Sequence, residues 1–191
     1  MPPGGAEVDI AVLFADVRGS TGIGERLGAS AFAALMNRFY RAATDVLVAH
    51  DATIDKMVGD EVMALFIPGF CGPEYRRAAA QAGEALVRAM GYGGAGEPWL
   101  PLGVGVHAGI AFVGNVGGGG ITDFTALGDT VNSAARLQGE AKGGEVVLSE
   151  AAYQAVAAQY PDLERHELTL RGRDEPMAVR ILRPGAHAIP G

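Results

Sequence analysis

The hydrophobic pattern of the first third of the chain predicts a strand, a helix and a hairpin. An apolar run over Val8 to Asp16 is rich in β-prone side chains and predicts a buried strand. From about Ser30, apolar side chains recur at the spacing of a long amphipathic helix. Thr53 to Phe66 predicts two strands joined by a tight turn at Gly59, since glycine accepts the positive φ that such a turn needs.

The rest of the chain predicts shorter elements. Leu102 to Phe112 alternates in the manner of a half-buried strand. The other predicted elements are a helix from about Glu74 to Met90, a strand near Asp123 to Leu127, a helix from about Asp129, a strand at Glu145 to Leu148, a helix from Ser149 to near Tyr160, and strands at about Arg165 to Leu170 and Met177 to Leu182. This order has one evident hairpin and too few strand-helix-strand repeats for a doubly wound sheet. It predicts an α+β fold, a ferredoxin-like βαββαβ core with a mainly antiparallel sheet flanked by helices, plus C-terminal strands.

Composition narrows the class of protein. The 191 residues suit a single domain, 1–191, with its core at about 8–183, and 49% hydrophobic with 19% charged residues is typical of a globular chain. A net charge of −7 argues against nucleic acid as a partner. The single cysteine, Cys71, and the lack of a signal segment favour a cytoplasmic location. No apolar run approaches the roughly 20 residues of a membrane span, so no direct membrane insertion is expected. The chain could still be a catalytic module fused to regulatory domains in a longer protein.

Two aspartates follow apolar runs and are candidate metal ligands. Asp16 ends the apolar part of LFADVRGSTG, and Asp60 lies at the predicted hairpin turn. If the two strands are neighbours, these carboxylates could bind a hard cation such as Mg²⁺, which leaves coordination positions for substrate phosphates. Alternatively, Asp16 caps a turn and Asp60 is an exposed turn residue. The spacing alone leaves both interpretations open.

The segment TDFTALGDTVNSAARL places an amide and a guanidinium on one helix face. Asn132 and Arg136 are four residues apart, so their side chains are neighbours. Such a pair could orient a sugar and neutralise a phosphoryl group. In the structural alternative, Asp129 caps the helix while Asn132 and Arg136 are solvated surface residues. Taken alone, the segment favours that alternative.

Three sequence segments, taken together in their order along the chain, favour the functional interpretation over the structural one. LFADVRGSTG, IDKMVGDEVMALF and DFTALGDTVNSAARL together resemble the class III nucleotidyl cyclase catalytic domain, the family of adenylyl and guanylyl cyclases. The resemblance runs from about Val8 to Leu182. It implies that Asp16 and Asp60 bind two Mg²⁺ or Mn²⁺ ions, with the Val17 carbonyl as a backbone ligand beside the first aspartate.

The resemblance also implies how the purine is recognised. Lys56 matches the purine-reading lysine, and Thr125 occupies the second purine position, where a large bacterial subgroup has threonine and many animal adenylyl cyclases have aspartate. A lysine donates to the N1 acceptor of adenine but would face the N1–H donor of guanine, so ATP is the expected substrate. The threonine hydroxyl discriminates less sharply than aspartate, so guanylyl cyclase activity stays an alternative.

The remaining site residues follow from the same resemblance. Asn132 matches the ribose-orienting asparagine and Arg136 the transition-state arginine. In LTLRGRDEP, Arg173 is the first choice for a triphosphate contact and Arg171 the second, although either could be a solvated turn residue. The four histidines, among them His107, and Cys71 show no metal-binding spacing and are expected to be structural or surface residues.

The implied activity is that of an adenylate cyclase, which converts ATP to 3′,5′-cyclic AMP and pyrophosphate. In the family the metal aspartates come from one protomer and the purine-reading and Asn/Arg pairs from the other. This chain carries both sets, so a homodimer with shared sites is expected. The alternative from another class is a non-catalytic nucleotide-binding regulatory module of the same fold.

Overall fold

In this computed structural model, which describes residues 4–118 and 120–185, eight strands form one sheet. The strands are β1 (Gly5–Val17), β2 (Thr53–Val58), β3 (Glu61–Phe66), β4 (Leu102–Gly118), β5 (Ile121–Leu127), β6 (Val146–Ser149), β7 (Glu164–Leu168) and β8 (Met177–Leu182). The helices are α1 (Ser20–Leu27), α2 (Ala29–Ala49), α3 (Pro68–Cys71), α4 (Tyr75–Ala89), α5 (Asp129–Glu140) and α6 (Glu150–Tyr153).

The sheet order confirms the predicted fold class. The strands run β2-β3-β1-β4-β6-β8-β7, and β5 pairs with β4 beside this path. The first four strands, with the helices between them, form the ferredoxin-like βαββαβ core. β4 and β6 are parallel, whereas β1 is antiparallel to both β3 and β4. The C-terminal strands extend the sheet past β4, as expected from the sequence.

The two faces of the sheet are covered differently, which decides where polar side chains can lie. Alternate residues of β1 from Ala11 to Val17 pack with α2 and α4 in the larger core. The intervening residues, Ile10, Val12 and Phe14, pack on the other face with Ala134 of α5. Because side chains alternate along a strand, Asp16 lies on the face that α5 partly covers.

Glycines on β4 let α5 pack directly on the strand. A Cβ at Gly105 would lie 2.3 Å from the backbone nitrogen of Gln138, and one at Gly109 would lie 2.9 Å from Thr130 Oγ1. Thr130 Oγ1 also donates to the Ile110 carbonyl at 2.6 Å, which fixes the start of the helix on the strand. The backbone of α5 is therefore held against β4 along much of its length.

The first half of the chain contains two helices that were not predicted, α1 and the four-residue α3. The hairpin β2–β3 is confirmed, with Gly59 at φ 62°. Helix α1, Ser20–Leu27, was not predicted; it has no buried residue, so its sequence lacks the apolar period that marks a helix. No helix among the described residues has both the length and the apolar character needed to span a bilayer.

The second half differs in element lengths. β4 continues to Gly118 and forms an unpredicted second hairpin with β5. The half-buried alternation predicted for β4 is wrong, because this central strand is buried on both faces from Leu102 to Val106 and Ile110 is exposed. Ser149 Oγ accepts a hydrogen bond from Ala152 N at 3.2 Å, which confirms the helix start, but α6 ends at Tyr153 and not near Tyr160.

Candidate active site

The two aspartates meet where β1 ends. Val17 N donates to the Asp60 carbonyl at 3.1 Å, which fixes the hairpin turn against the end of β1. Burial, followed by the nearby Asp60 charge, raises the pKa of Asp16 to about 6. Two neighbouring carboxylates repel one another when both are charged, so a cation between them would stabilise both charges. The prediction that Asp16 and Asp60 are neighbours is confirmed.

One oxygen of Asp16 is free for a ligand. Asp16 Oδ2 accepts a hydrogen bond from Arg18 Nη2 at 3.2 Å, whereas the buried Oδ1 has no partner within the described part of the chain. Glu61 lies opposite Asp16 in the β1–β3 register, and burial, then the Asp60 charge, raises its pKa. An orphaned carboxylate oxygen in an acidic corner is what a hard cation would satisfy.

The donor set fits Mg²⁺ or Mn²⁺ but is small. Across residues 4–118 and 120–185, no group of three or more His, Cys, Asp or Glu side chains is arranged to hold a metal. Mg²⁺ is commonly bound through one or two carboxylates and otherwise by water and substrate phosphates. Asp16 and Asp60, with a backbone carbonyl such as that of Val17, therefore suffice for a site that substrate completes.

Lys56 lies on the edge strand β2 with its side chain 56% exposed. It is opposite Met63, which packs on the α5 face of the sheet. Its Nζ is 3.7 Å from Asp55 Oδ2, although the Asp55 side chain is only 2% exposed. Neighbouring strand residues normally point to opposite faces; the register shifts between Ile54 and Lys56, and this irregularity brings the two side chains together.

Thr125 is buried in the β4–β5 hairpin, opposite Gly114. Its Oγ1 has no hydrogen-bond partner within the described residues. A buried hydroxyl without a partner costs about 1–3 kcal/mol, so a ligand or water that bonds to it would be stabilising. Of the three buried side-chain oxygens that have no hydrogen-bond partner within the described residues, two belong to residues predicted from sequence, Asp16 and Thr125, and the third to Asp55.

Helix α5 carries the amide and the guanidinium. Gly128 occupies the N-cap position and no side chain caps the helix, so the alternative in which Asp129 is the cap is wrong. Asn132 is exposed and Arg136 is partly buried. A Cβ at Gly172 would lie 3.5 Å from Arg136 Nη2, so the turn between β7 and β8 reaches Arg136.

Arg173 is anchored to the same helix. Its Nη1 donates to Ser133 Oγ at 3.2 Å, and its Nη2 lies 3.1 Å from Asp129 Oδ2. These contacts contradict the alternative of a freely solvated turn arginine at this position. Arg171, the second choice, is exposed on the same segment. The structure thus groups Arg173 and Arg136 around α5.

The sequence interpretation missed the environment of His107. This residue lies on β4 between Gly105 and Gly109, on the face covered by α5, and its Nδ1 is buried without a described partner. Burial first, then the Arg173 charge, lowers the pKa of His107 to about 4, so the ring is neutral at pH 7. The available signal was the run GVGVHAG, whose glycines mark close packing of another element on the strand.

The aspartate pair, Asp16 and Asp60, and the candidate ribose-binding residue Asn132 lie toward different ends of α5. Arg18 Nη1, beside Asp16, donates to the Ala141 carbonyl at 3.4 Å, just past the end of the helix. Asn132 is near the start of α5, about 14 Å along the axis from Ala141 at 1.5 Å per residue. One chain therefore brings Asp16 to Asp60 and Arg173 to α5, but it holds Asn132 well away from the aspartates.

The fold and the site agree with the class of nucleotide cyclase catalytic domains that the three sequence blocks resemble. The common features are the order of the sheet, the paired carboxylates at the end of a strand, and the helix that carries Asn132 and Arg136. The family model of the adenylate and guanylate cyclase catalytic domain matches residues 5–183. The chain belongs to this family, whose catalytic domains are generally dependent on divalent metals.

Curated relatives are longer than this chain. The uncharacterized protein Rv1318c of Mycobacterium tuberculosis is 33% identical over 192 residues, which cover 95% of this chain and 33% of the relative. Rv1320c of the same organism is 33% identical over 186 residues, covering 95% and 32%. The chain spans about a third of the length of the curated relatives it matches.

Solved cyclases of both kinds share the fold. The guanylyl cyclase Cya2 superposes with a TM-score of 0.84 at 24% identity, covering 93% of each chain. The adenylyl cyclase CyaB from P. aeruginosa superposes with a TM-score of 0.80 at 25% identity, covering 97% of this chain and 99% of that one. These similarities define the catalytic domain without separating ATP from GTP.

Proposed function

We propose that this chain is an adenylate cyclase domain that converts ATP to 3′,5′-cyclic AMP and pyrophosphate. The observation that carries the proposal is the Asp16–Asp60 pair, with the buried and unpaired Asp16 Oδ1, in a member of the cyclase family. A regulatory module without catalysis would not need to keep this destabilising pair of carboxylates. The chain is taken as one catalytic domain, and the greater length of its relatives supports fusion to further domains.

Asp16, Asp60 and the Val17 carbonyl would hold two Mg²⁺ or Mn²⁺ ions together with the substrate phosphates. Bound there, the ions would make the ribose 3′-hydroxyl a better nucleophile and neutralise the charge of pyrophosphate. By holding the ions in fixed positions, the two aspartates would orient the triphosphate. Near pH 7 the Asp16 carboxylate is charged in most molecules and available to a cation, since its raised pKa is about 6.

The residues of α5 would act on the ribose and the α-phosphate. Asn132, exposed on the first turns of the helix, would hold the ribose so that its 3′-hydroxyl points along the line of attack. Arg136 would stabilise the charge that develops on the α-phosphoryl oxygens. Arg173 would contact the triphosphate, and its anchors on Ser133 and Asp129 would fix the guanidinium before substrate arrives.

Lys56 and Thr125 would select adenine. The exposed Lys56 ammonium can donate to adenine N1, and the unpaired Thr125 hydroxyl can bond to the purine edge. The hydroxyl can donate and accept, so GTP is the second candidate substrate. A preference for ATP rests on the lysine, because guanine presents a donor at the same position.

A homodimer would complete the site. About 14 Å of helix separates Asn132 from the end of α5 near Asp16, which supports sites that take these residues from different protomers. Exposed aromatic side chains support a contact surface on the α5 side: Phe70 and Phe124 are 65% and 43% exposed, with ring centroids 6.3 Å apart. A two-fold axis would repeat each shared site once.

The test is product formation from ATP and from GTP with Mg²⁺ or Mn²⁺, followed by complementation. Asp16→Ala chains should be inactive alone, and Arg136→Ala chains should keep about 1% of parental activity. When equal amounts are mixed, about half of the dimers would be mixed and each would hold one intact site, so about a quarter of parental activity should return. If the parent forms no cyclic AMP from ATP, the adenylate cyclase activity is refuted, and if it forms no cyclic GMP from GTP either, the cyclase activity is refuted. If protomer exchange is verified and no activity returns, the shared site is refuted.

A further inference from the structure

Arg18 lies between the Asp16 carboxylate and the end of α5. Its Nη2 donates to Asp16 Oδ2 at 3.2 Å, its Nε donates to the Asp16 carbonyl at 3.3 Å, and its Nη1 donates to the Ala141 carbonyl at 3.4 Å. The Arg18 backbone nitrogen also donates to the Pro101 carbonyl at 2.8 Å. One guanidinium thus bonds a candidate metal ligand and a backbone carbonyl 123 residues away.

The three contacts determine which oxygen Asp16 presents. Oδ2 is bonded to Arg18, so the other oxygen, Oδ1, is the one left buried and without a partner. The side-chain torsion of an isolated aspartate is broad, and repulsion from Asp60 would turn the carboxylate away. The bonded guanidinium opposes both effects, because Nη2 holds Oδ2 while the bonds from Nε and Nη1 to two backbone carbonyls fix the rigid guanidinium itself.

The packing leaves room for this arginine and for little else. A Cβ at Gly103 would lie 3.1 Å from Arg18 Nε and 2.9 Å from the Ala141 carbonyl oxygen. Gly103 is paired with Asp16 in the β1–β4 register, so the glycine lies directly beside the aspartate. The guanidinium is therefore held between β4, the end of α5 and Asp16, with its side chain 25% exposed.

We infer that Arg18 is a positioning residue, which holds the Asp16 carboxylate in place with its unpaired Oδ1 available to the divalent cations. This inference rests on the proposed metal role of Asp16. The bond to Oδ2 leaves Oδ1 unpaired, and the Ala141 contact sets the position of the guanidinium from a separate element. Partners that orient a metal ligand typically contribute 10- to 100-fold to metal affinity.

The experiment is a titration of the intact protein with Mn²⁺ alone, followed by electron paramagnetic resonance, with thermal unfolding measured on the same samples. Arg18→Ala should weaken Mn²⁺ binding by about tenfold or more. Arg18→Lys should stay within about threefold of Arg18→Ala, because an ammonium is a point charge and cannot span a carboxylate and two carbonyls. Arg26→Ala is the matched control: this exposed arginine of α1 should bind Mn²⁺ like the parent.

The outcomes separate this inference from the proposed function. Asp16→Asn should lose Mn²⁺ binding; if it binds like the parent, the metal assignment fails and the role of Arg18 fails with it. If Asp16→Asn loses binding while Arg18→Ala binds as well as or more tightly than the parent, only the inference on Arg18 is overturned. Full recovery in Arg18→Lys would also overturn it, since charge alone would then explain the effect. Where Arg18→Ala does not fold, Arg18→Lys decides the question.

Discussion

Gly105 is the position where a single methyl group should do the most damage to the candidate site. A Cβ there would lie 2.3 Å from Gln138 N, 2.7 Å from Gln138 Cα and 2.8 Å from the Ala134 carbonyl oxygen. All three atoms are backbone of α5, so no side-chain rotation can relieve the overlap. We therefore expect Gly105→Ala to push the helix that carries Asn132 and Arg136 away from β4.

The magnitude follows from the packing. Relieving the closest contact requires a movement of about 1 Å, and overpacking of a core typically costs about 1–3 kcal/mol. Because the strained atoms are backbone, we expect the upper end, about 3 kcal/mol. For a chain of this size that corresponds to a melting temperature lower by roughly 6–12 °C. A shift of about 1 Å in catalytic groups can cost about 10²-fold in rate.

Gly139 provides a matched control on the same helix. A Cβ at Gly139 would meet nothing within 4 Å. Gly139→Ala should therefore be neutral or stabilising by up to about 1 kcal/mol, since alanine is the better helix former. Urea unfolding gives the free energies and a cyclic-nucleotide assay gives the rates. If Gly105→Ala unfolds within about 0.5 kcal/mol of Gly139→Ala, the close packing of α5 on β4 is refuted.

Three further changes test individual groups. His107 has a folded pKa of about 4 against an ordinary value of 6.5, so the unfolded chain binds more protons between these values and stability should decrease as the pH falls through this range. Between pH 7.5 and 4.5 the parent should lose about 2–3 kcal/mol more than His107→Gln in urea titrations; parallel pH profiles would contradict this. Lys56→Glu should lower the ratio of cyclic AMP to cyclic GMP formed from ATP and GTP, and an unchanged ratio would mean that Lys56 does not contact the base. Arg136→Ala should lower kcat by about 10²-fold with a smaller change in KM, and an unchanged kcat would exclude a role in the transition state.

The parts of the fold that could be predicted are those in which local pattern and burial agree. Helix α2 buries Met36, Phe39, Ala43 and Leu47 at helical spacing, so its apolar period is strong. The hairpin β2–β3 is marked by one glycine between two apolar runs. Once β1 and this hairpin are adjacent strands, Asp16 and the turn must meet, because both come at the same end of the sheet. That is why two residues 44 positions apart could be paired from sequence.

The parts that could not be predicted depend on contacts between distant segments. The alternation of Leu102 to Phe112 gave no sign that β4 is buried on both faces, since that depends on where α5 and the α2–α4 layer pack. The bonds from Arg173 to Ser133 and from Arg18 to Ala141 join segments 40 and 123 residues apart. Local sequence predicts that an arginine in a turn is exposed to solvent. Its contacts with a distant helix can be seen only in the folded structure.

If two chains share sites as proposed, the same contacts would let one sheet hold residues of both sites rigidly. The glycines of β4 fix α5 by its backbone, and Arg18 ties the end of that helix to Asp16. In a two-fold dimer the Asp16 and the Asn132 of one chain would serve different sites. A displacement of Asp16 on metal binding would then reach α5 of the same chain through Arg18, and so reach the other site. Coupling between the two sites would require no further element, because a packed helix moves as a unit.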